Sequence, residues 1–585
     1  MICFEKIMIK RSYYPLGRII NKVVNFTKVT SLIKFGCFNL IKIKMAELRI
    51  QEGILVCSLL VTSPSSVAQE NLQLKLQIEE SSQKRQTASK NTVPFHEIAH
   101  ENASFKVRTT TKTETASVNT VTPSYYVESR TFGIAQETEP PRYAQQVNKT
   151  WLKNTEGLAN INWVDIGLQT RLRYEYRDND FRRSKDVLDE PFLQSTRIYA
   201  DVKSKIDPFR FTVEMQDSRA YNSAFQSDNR NVNKTELIQG YGELYFKDAL
   251  GKDDLGNERS VSIKAGRMTL DLVDRRLIAR NQWRNTLNTF QGVRTTFGQK
   301  KNDWQGELIA VQPITRLVDQ ADKVNDAQWL YGIVGDWRKW SKIITLQPYY
   351  LMLKQDGSKV TYASNGTLAA ASAHTNREIH TGGFRGFGIV GNTGLDYDFN
   401  YAKQWGNDGS STQDAYAYNL EGGYTAQYSW KPRLSATLAF ASGDKDPDDS
   451  RSQRFDNLFG ASRSSLSASN SIQFSNIYAT KIRSQLTPSN KLKIDFGYSW
   501  YQLASATDLW SGGAKLQDKA GTSGKKIGEE FDVRLRYPIN KYIELNIGYS
   551  HFMAGDFTKK ASQLVEPGRK AHSNLLYVET TLSAF

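Results

Sequence analysis

The sequence has little cysteine: its three cysteines, Cys3, Cys37 and Cys57, all lie before residue 58 of 585. The body of the chain also lacks a run of about 18 apolar residues, which excludes a bundle of transmembrane helices. No basic helix or basic run occurs either, so we expect no nucleic acid partner. These absences leave open a protein that crosses a membrane with strands, because such strands are only half apolar.

The N-terminus resembles a leader. Met45 begins a short charged stretch, an apolar stretch follows at residues 53–62, and a small-residue site ends at Ala68, so we expect cleavage after Ala68. Residues 1–44 are interpreted as an extension upstream of the true start or as an unusual N-terminal region. Residues 1–68 carry ten basic and three acidic side chains, which leaves +9 of the formal +16 on the mature chain. That chain would have no thiols, as suits an exported protein.

Residues 69–139 are rich in Ser, Thr, Gln, Asn, Lys and Glu without an apolar period, so we expect a disordered or partly helical periplasmic segment. Residues 96–100 (HEIAH) fit a zinc-protease motif. Pro94 and a Ser/Thr-rich tract flank it, and no third ligand is evident. Residues 444–449 contain four aspartates that resemble a calcium loop, but acidic loops are more often simply solvated. We expect no catalytic residues, no metal site and no cofactor.

From residue 140 to Phe585 the pattern changes to short segments in which polar and apolar residues alternate. Residues 165–176 (DIGLQTRLRYEY) show one charged face and one apolar, aromatic face, as a strand between two environments does. We find about eighteen such segments, from 164–176 to 574–585. Tyr, Phe and Trp number 28, 27 and 11, which suits interfacial girdles.

The connectors between these segments are short and long in turn. With an even strand number, this pattern is typical of bacterial outer-membrane barrels that have short periplasmic turns and long outer loops. We therefore predict an all-β fold: a transmembrane antiparallel up-and-down β-barrel of about 18 strands over residues 140–585, with a wet, charged lumen and both termini on the periplasmic side. The predicted location is the bacterial cell outer membrane.

Strand parity sorts the charges. Where Leu168 and Leu172 face lipid, Arg171 and Arg173 face inward, and the same reasoning turns Arg197 and Arg534 inward. A charge on the lipid face costs roughly 2–4 kcal/mol at mid-membrane, so this sorting is physically required. The last strand ends on the aromatic Phe585, but Glu579 shares its parity and would face lipid unless a bulge shifts the register. Many inward charges must neutralise one another, and a surplus of arginine would favour anions.

Several motifs occur in an order and spacing that resemble the alginate export family of outer-membrane porins, over roughly residues 140–585. They are residues 167–175 (GLQTRLRYE), 216–220 (QDSRA), 239–243 (QGYGE), 266–276 (GRMTLDLVDRR), 283–285 (WRN), 290–294 (FQGVR), 441–444 (ASGD), 455–459 (FDNLF) and 528–532 (GEEFD). The resemblance implies an 18-stranded barrel whose arginine-rich constriction passes a polyuronate by diffusion. By position, five arginines match recurrent arginines of the family's motifs: Arg173, Arg219, Arg267, Arg276 and Arg294. Together with Arg171, Arg197 and Arg534 they form the expected pore lining.

The expected function is passive passage of an anionic polysaccharide, or of related anions, without catalysis. A general small-solute porin is an alternative, and a barrel enzyme such as a lipase or deacylase is a more distant one. Ser550 and His551 suggest a lipase dyad, but adjacent strand residues point to opposite faces. Expected partners are the anionic solute, outer-membrane lipid and the barrel assembly machinery, and we expect a monomer.

Overall fold

The computed structural model describes Tyr125 and residues 129–133, 136–363, 365–370, 373–461, 466–513 and 515–585. All of them belong to the second of two compact units, Val118–Phe585. The leader with Met45, Ala68 and the three cysteines, the motif at residues 96–100 and most of residues 69–139 lie outside the described residues. The predictions made for those parts of the chain therefore stay predictions.

Eighteen antiparallel strands form the barrel, as the alternation predicts. Each strand lies within a few residues of its predicted position. In chain order the strands are β1 (Val164–Asp178), β2 (Phe192–Val202), β3 (Phe209–Tyr221), β4 (Asn233–Phe246), β5 (Val261–Met268), β6 (Phe290–Phe297), β7 (Trp304–Thr315), β8 (Gln328–Trp337), β9 (Thr345–Gln355), β10 (Arg377–Ile389), β11 (Leu395–Asp408), β12 (Ser411–Thr425), β13 (Arg433–Ala441), β14 (Ile477–Leu486), β15 (Lys493–Gln502), β16 (Lys526–Pro538), β17 (Ile543–Ala554) and β18 (His572–Ser583).

The barrel closes between its last and first strands. β18 pairs with β1 from Ser583 opposite Gln169 to Asn574 opposite Asp178. The other edge of β1 pairs with β2, so no strand edge is left open along this seam. Closure satisfies every backbone group that would otherwise face lipid. The predicted fold class is confirmed.

Connector lengths distinguish the two ends of the barrel. At the end of the barrel where β1 begins and β18 finishes, the turns are short, such as residues 426–432 and 539–542. One connector at this end, between β4 and β5, is longer. The other end has long loops, of which residues 442–476 form the longest. One connector at that end is tight: Gly409, at φ +64°, lies in a two-residue turn between β11 and β12. Glycine suits that turn because it adopts a positive φ without steric cost.

Side-chain burial follows the predicted parity. Along β3, Phe211 is 54% exposed on the outward face, whereas Glu214 is fully buried on the inward face. The same alternation of outward apolar and inward polar residues holds along β1 and β2. The outward residues meet lipid, and the inward ones meet the lumen.

The sequence predicts a wet, charged lumen. The lumen of the structure is only partly wet and charged, because long loops fold into it. Residues 269–289, which we call the inward loop, bury Leu270, Leu272 and Ile278 against inward residues of the barrel such as Phe290 and Leu351. Part of the loop-bearing half is therefore a hydrophobic core. Alternation along strands indicates a polar inner face but not what a loop places against it.

A short strand, Ala144–Gln146, pairs with β1 opposite residues 165–167, where β18 has already ended. Tyr143 precedes it and lies directly over Gly167, where an added Cβ would stand 2.8 Å from the ring. Glycine is thus required at this position by close approach. The chain before β1 is tied to the barrel wall here.

Helical structure is sparse among the described residues. Two single-turn helices, Val147–Lys149 and Trp151–Asn154, precede β1, and one α-helix, α1 (Asp556–Val565), lies in the loop between β17 and β18. α1 buries Phe557 and Ala561 on one face, four residues apart. No helix among the described residues is long and apolar enough to cross a membrane.

Candidate functional site

A cavity of about 590 Å³ lies inside the barrel. It reaches the short turn between β16 and β17, and residues of the inward loop and of residues 442–476 form other parts of its wall. Nine basic and four acidic side chains line it, so its positive surplus attracts anions. The basic residues are Arg142, Arg171, Arg197, Arg275, Arg284, Lys481, Arg483, Arg534 and Lys541; the acidic ones are Glu137, Asp532, Glu544 and Glu579.

A segment upstream of β1 forms another side of the cavity. We call residues 129–133 and 136–143 the strap. Phe132 and Gly133 line the cavity near one end of the strap, and Tyr143 lines it near the other. The hydroxyl of Tyr143 donates to Glu214 at 2.5 Å, and this contact is buried. The strap thus lies within the lumen.

The basic residues on the strands have acidic partners. On β14, Lys481 and Arg483 share the inward parity, and both contact Asp532 of β16, at 2.7 and 2.9 Å. Arg534 contacts Asp495 of β15 at 2.9 Å. These pairs neutralise much of the wall charge, as the sequence indicates for many inward charges.

Arg171 supports the inward loop. Its guanidinium donates to the carbonyl oxygens of Gln282 and Arg284, both at 2.6 Å. On the same loop, the Asn285 amide donates to the carbonyl oxygens of Gln194, Arg219 and Asn231. A side chain that lines the cavity therefore also fixes the loop across the lumen.

Arg284 lies on the inward loop and lines the cavity. Within the described residues its guanidinium makes no hydrogen bond or ion pair, and its Nε is buried. Burial and the neighbouring Arg316 and Arg230 lower the pKa of Arg284 from 12.5 to about 9. It remains a cation at neutral pH, and its charge is free to meet a solute anion.

The eight arginines predicted from the sequence fall into three groups. Arg171, Arg197 and Arg534 line the cavity. Three others lie inside the barrel but outside the cavity wall, and two turn away from the lumen. The three inside the barrel are Arg173, Arg276 and Arg294. The two that turn away from the lumen are Arg219 and Arg267.

Strand parity explains the two outward arginines. Arg219 has the parity of Val213 and Met215 on β3, and it contacts Asp217 on the same face at 2.9 Å. Arg267 has the parity of the exposed Ala265 on β5 and donates to the carbonyl oxygen of Leu237. Both were expected in the pore because of the family resemblance and not because of strand parity. Strand parity alone would have placed both on the outward face.

The three inner arginines outside the cavity are held by acids. Arg173 is buried between Glu175 and Glu579, at 2.7 and 3.2 Å. Arg294 contacts Glu307 of β7 at 3.0 Å and Glu139 of the strap at 3.4 Å. Their charges are largely compensated within the wall.

Arg276 is the third of these, and it lies on the inward loop. It is buried and ion-paired with Asp274, two residues before it.

Glu579 faces the lumen, contrary to the parity expected from Phe585. β18 ends at Ser583, and the chain then leaves the strand, so the terminal Phe585 stacks on Trp151 with ring centroids 6.0 Å apart. Leu576 and Val578 take the outward positions of β18. No bulge is needed, because the strand ends before Phe585.

Six basic residues of the cavity were not in the predicted set. Lys481 and Arg483 alternate with outward Ile482, so strand parity alone could have identified them. Lys541 lies in a short turn. Arg142, Arg275 and Arg284 lie on the strap or the inward loop, where no periodic signal marks a residue as inward.

The catalytic and metal motifs do not assemble into sites among the described residues. Ser550 is buried on the inward face, while the His551 Nδ1 meets the Asn574 side chain at 2.8 Å. Near residues 444–449, the backbone N–H of Asp444 donates to Asp508, which is also ion-paired with Arg454. The described part of the chain holds no cluster of three or more His, Cys, Asp or Glu side chains arranged for a metal ion.

Comparison with known proteins gives a family match for most of the barrel. A family model described as alginate export matches residues 162–571. No curated protein matches the sequence significantly. Among solved structures, the chain is similar in fold to Pseudomonas aeruginosa OpdK with vanillate, at 11% identity and a TM-score of 0.49, covering 72% of this chain and 98% of that one. It is also similar to Pseudomonas aeruginosa OccK2 in complex with glucuronate, at 12% identity and a TM-score of 0.46, with 72% and 98% covered.

Proposed function

The chain belongs to the alginate export family, and from that premise we propose that its barrel passes an alginate-like polyuronate by passive diffusion. The chain is an outer-membrane porin for anionic solutes. The observation that supports the finer proposal is the lumen cavity, whose nine basic side chains exceed its four acidic ones. Each uronate unit carries one carboxylate, which these cations can bind in succession.

Passage requires contacts that are weak and multiple. Most cavity cations already have an acidic partner, as Lys481 and Arg483 have in Asp532. A substrate carboxylate therefore competes with a wall carboxylate and is not trapped. Binding that is favourable enough to enter and weak enough to leave is what conduction needs.

We propose a channel rather than an enzyme. Ser550 and His551 lie on opposite faces of β17, so they cannot act as a nucleophile and its base. We also infer a monomer that the barrel assembly machinery inserts. The stacking of the terminal Phe585 on Trp151 leaves the aromatic end of the chain at the short-turn side, where β18 ends.

Planar bilayers with a salt gradient test the proposal. Wild-type protein should give reversal potentials that favour anions, and polymannuronate should block the current from one side. Arg534→Gln should weaken both effects, because Arg534 lines the cavity, while Arg536 keeps Asp495 paired at 3.3 Å.

Arg219→Gln is the matched control, because it removes the same charge from the outward face. Cation preference in the wild type would contradict the proposal. Anion preference without polymer block would favour the general small-solute porin instead.

A further inference from the structure

The strap makes contacts inside the lumen that resemble those of a bound polyanion. The carboxylate of Glu139 is ion-paired with Lys264 and Arg294 on the barrel wall. The carbonyl oxygen of Gly133 accepts a hydrogen bond from Arg275 of the inward loop. The strap thus offers the oxygen ligands that a uronate chain would offer.

Phe132 covers two cations that line the cavity. Its ring lies 3.7 Å from the guanidinium carbon of Arg483 and 4.7 Å from that of Arg534. Both arginines line the cavity. A solute carboxylate could not reach the covered faces of these guanidinium groups while the ring is in place.

The two ends of the strap are held unequally. At the β1 end, Tyr143 is buried with Glu214, and the strand Ala144–Gln146 is hydrogen-bonded to β1. At the other end, Ser129 donates to Asp398 at 3.2 Å, and the exposed Arg130 donates to Thr425 at 3.3 Å. Among the described residues, the contacts at that end are side-chain contacts without a backbone ladder, so it detaches at lower cost.

We propose that the strap is an internal competitor of the anionic polysaccharide: it occupies lumen cations that substrate carboxylates would use, and the entering polymer displaces it from its residue 129 end. This inference rests on the proposed function. A polymer that replaces the strap binds the strap-free state and not the strap-bound state, which is the differential affinity that a population shift requires. Solutes with a single carboxylate make too few contacts for that exchange, so the strap selects for polymers.

The strap also sets the apparent affinity. When only a fraction of molecules has a free lumen, the apparent dissociation constant rises by the inverse of that fraction. Loosening the strap should therefore tighten polymer binding, although it removes side chains from the cavity wall. A segment that only contributes to a fixed binding surface would have the opposite effect.

The first test is Phe132→Ala, which changes no charge. Loss of two cation–π contacts should lower the polymannuronate concentration for half-maximal block by about tenfold. Thr138→Ala is the matched control on the strap, because Thr138 is exposed and, within the described part of the chain, its hydroxyl bonds only to the carbonyl oxygen of Pro140. Unchanged or weaker block in Phe132→Ala, with a correctly folded barrel, would overturn the inference.

The second test locks the strap. Ser129→Cys with Asp398→Cys places two thiols where the side chains already meet, and no other cysteine occurs after Cys57. Because Asp398→Cys also leaves Arg385 without its partner, folding of the variant is checked first, and the single variant Asp398→Cys is the control. The oxidised protein should resist polymer block, and reduction should restore it. Equal block in both states would contradict displacement. If the disulfide does not form, the Phe132→Ala comparison decides.

Chloride selectivity in the same bilayers separates this inference from the proposed function. Anion preference that persists while neither variant alters polymer block defeats only the strap inference. Cation preference in the unmodified protein defeats the proposed function, whatever the strap does.

Discussion

Replacing Arg284 with glutamine should stabilise the folded barrel and at the same time reduce its anion selectivity. Arg284 lines the cavity, and within the described residues its guanidinium makes no hydrogen bond or ion pair. Its charge therefore contributes to the field in the lumen without contributing to a contact that holds the fold together.

The size of the effect follows from the pKa. Burial, followed by the charges of Arg316 and Arg230, lowers the pKa of Arg284 from 12.5 to about 9. A lowered pKa for a cation means that the folded state disfavours the charged form. Each pKa unit is about 1.4 kcal/mol, so the charge costs roughly 4–5 kcal/mol at neutral pH. Glutamine keeps part of the packing, and we expect a net gain of about 1–3 kcal/mol in the free energy of unfolding.

The assay pairs denaturant unfolding in detergent with reversal potentials in bilayers. Arg294→Gln is the matched control, because Arg294 is ion-paired with Glu307 and Glu139. It should lose stability by up to about 3–5 kcal/mol, since Glu307 is left with a buried charge. Its effect on selectivity should be smaller than that of Arg284→Gln. The two variants should therefore move in opposite directions in stability.

A clear loss of stability in Arg284→Gln, with anion preference unchanged, would refute this reasoning. It would mean that the arginine packs as a structural residue and that its charge does not act on ions in the lumen. A gain in stability without any change in selectivity would leave the unfavourable burial correct but remove Arg284 from the permeation path.

Other consequences follow from the wall and the loops. Asp398→Asn should destabilise the barrel by about 3–5 kcal/mol in denaturant unfolding, because Asp398 is paired with Arg385 in a buried contact; Glu378→Gln, whose partner Lys354 is 3.8 Å away and exposed, should have little effect. Val213→Arg, on the outward face of β3, should cost about 2–4 kcal/mol in lipid vesicles, whereas Gln169→Arg in the lumen should not. Burial raises the pKa of Asp228, but Arg230 and Arg183 outweigh it and lower that pKa from 3.8 to about 2. The ionised carboxylate therefore stabilises the outer loops above about pH 4, and this stabilisation, roughly 2.5 kcal/mol, is lost as the pH falls toward 2. Hydrogen exchange of the loops should show that loss in the wild type and not in Asp228→Asn.

Alternation made the strands predictable. A strand between lipid and lumen must alternate apolar and polar side chains. The charged Arg171 and the apolar Leu168 therefore indicate both that β1 is a strand and which of its faces meets lipid. Boundaries were less certain: the structure extends β12 back to Ser411, where Gly409 allows a two-residue turn that the sequence pattern did not indicate. The family resemblance, carried by ordered motifs, is confirmed by the family model.

The lumen was harder to predict, because its occupants come from loops. Arg275 and Arg284 are inward only because the inward loop crosses the barrel, and no periodicity records that path. Arg219 and Arg267 show the converse: motif membership suggested the pore, while their strand parity places them outside it. Strand parity determines which face each single residue occupies, whereas a motif identifies a segment without saying which of its side chains face the lumen.

The proposed function requires that anionic polymer crosses the membrane through this lumen. The most direct measurement is release of size-matched oligomannuronate and neutral oligoglucose from vesicles that contain the purified, full-length protein. The uronate should be released faster than the glucose oligomer, with a preference that shrinks at high salt as the field of the basic cavity is screened. Equal release of both oligomers, or a preference for the neutral one, would contradict it.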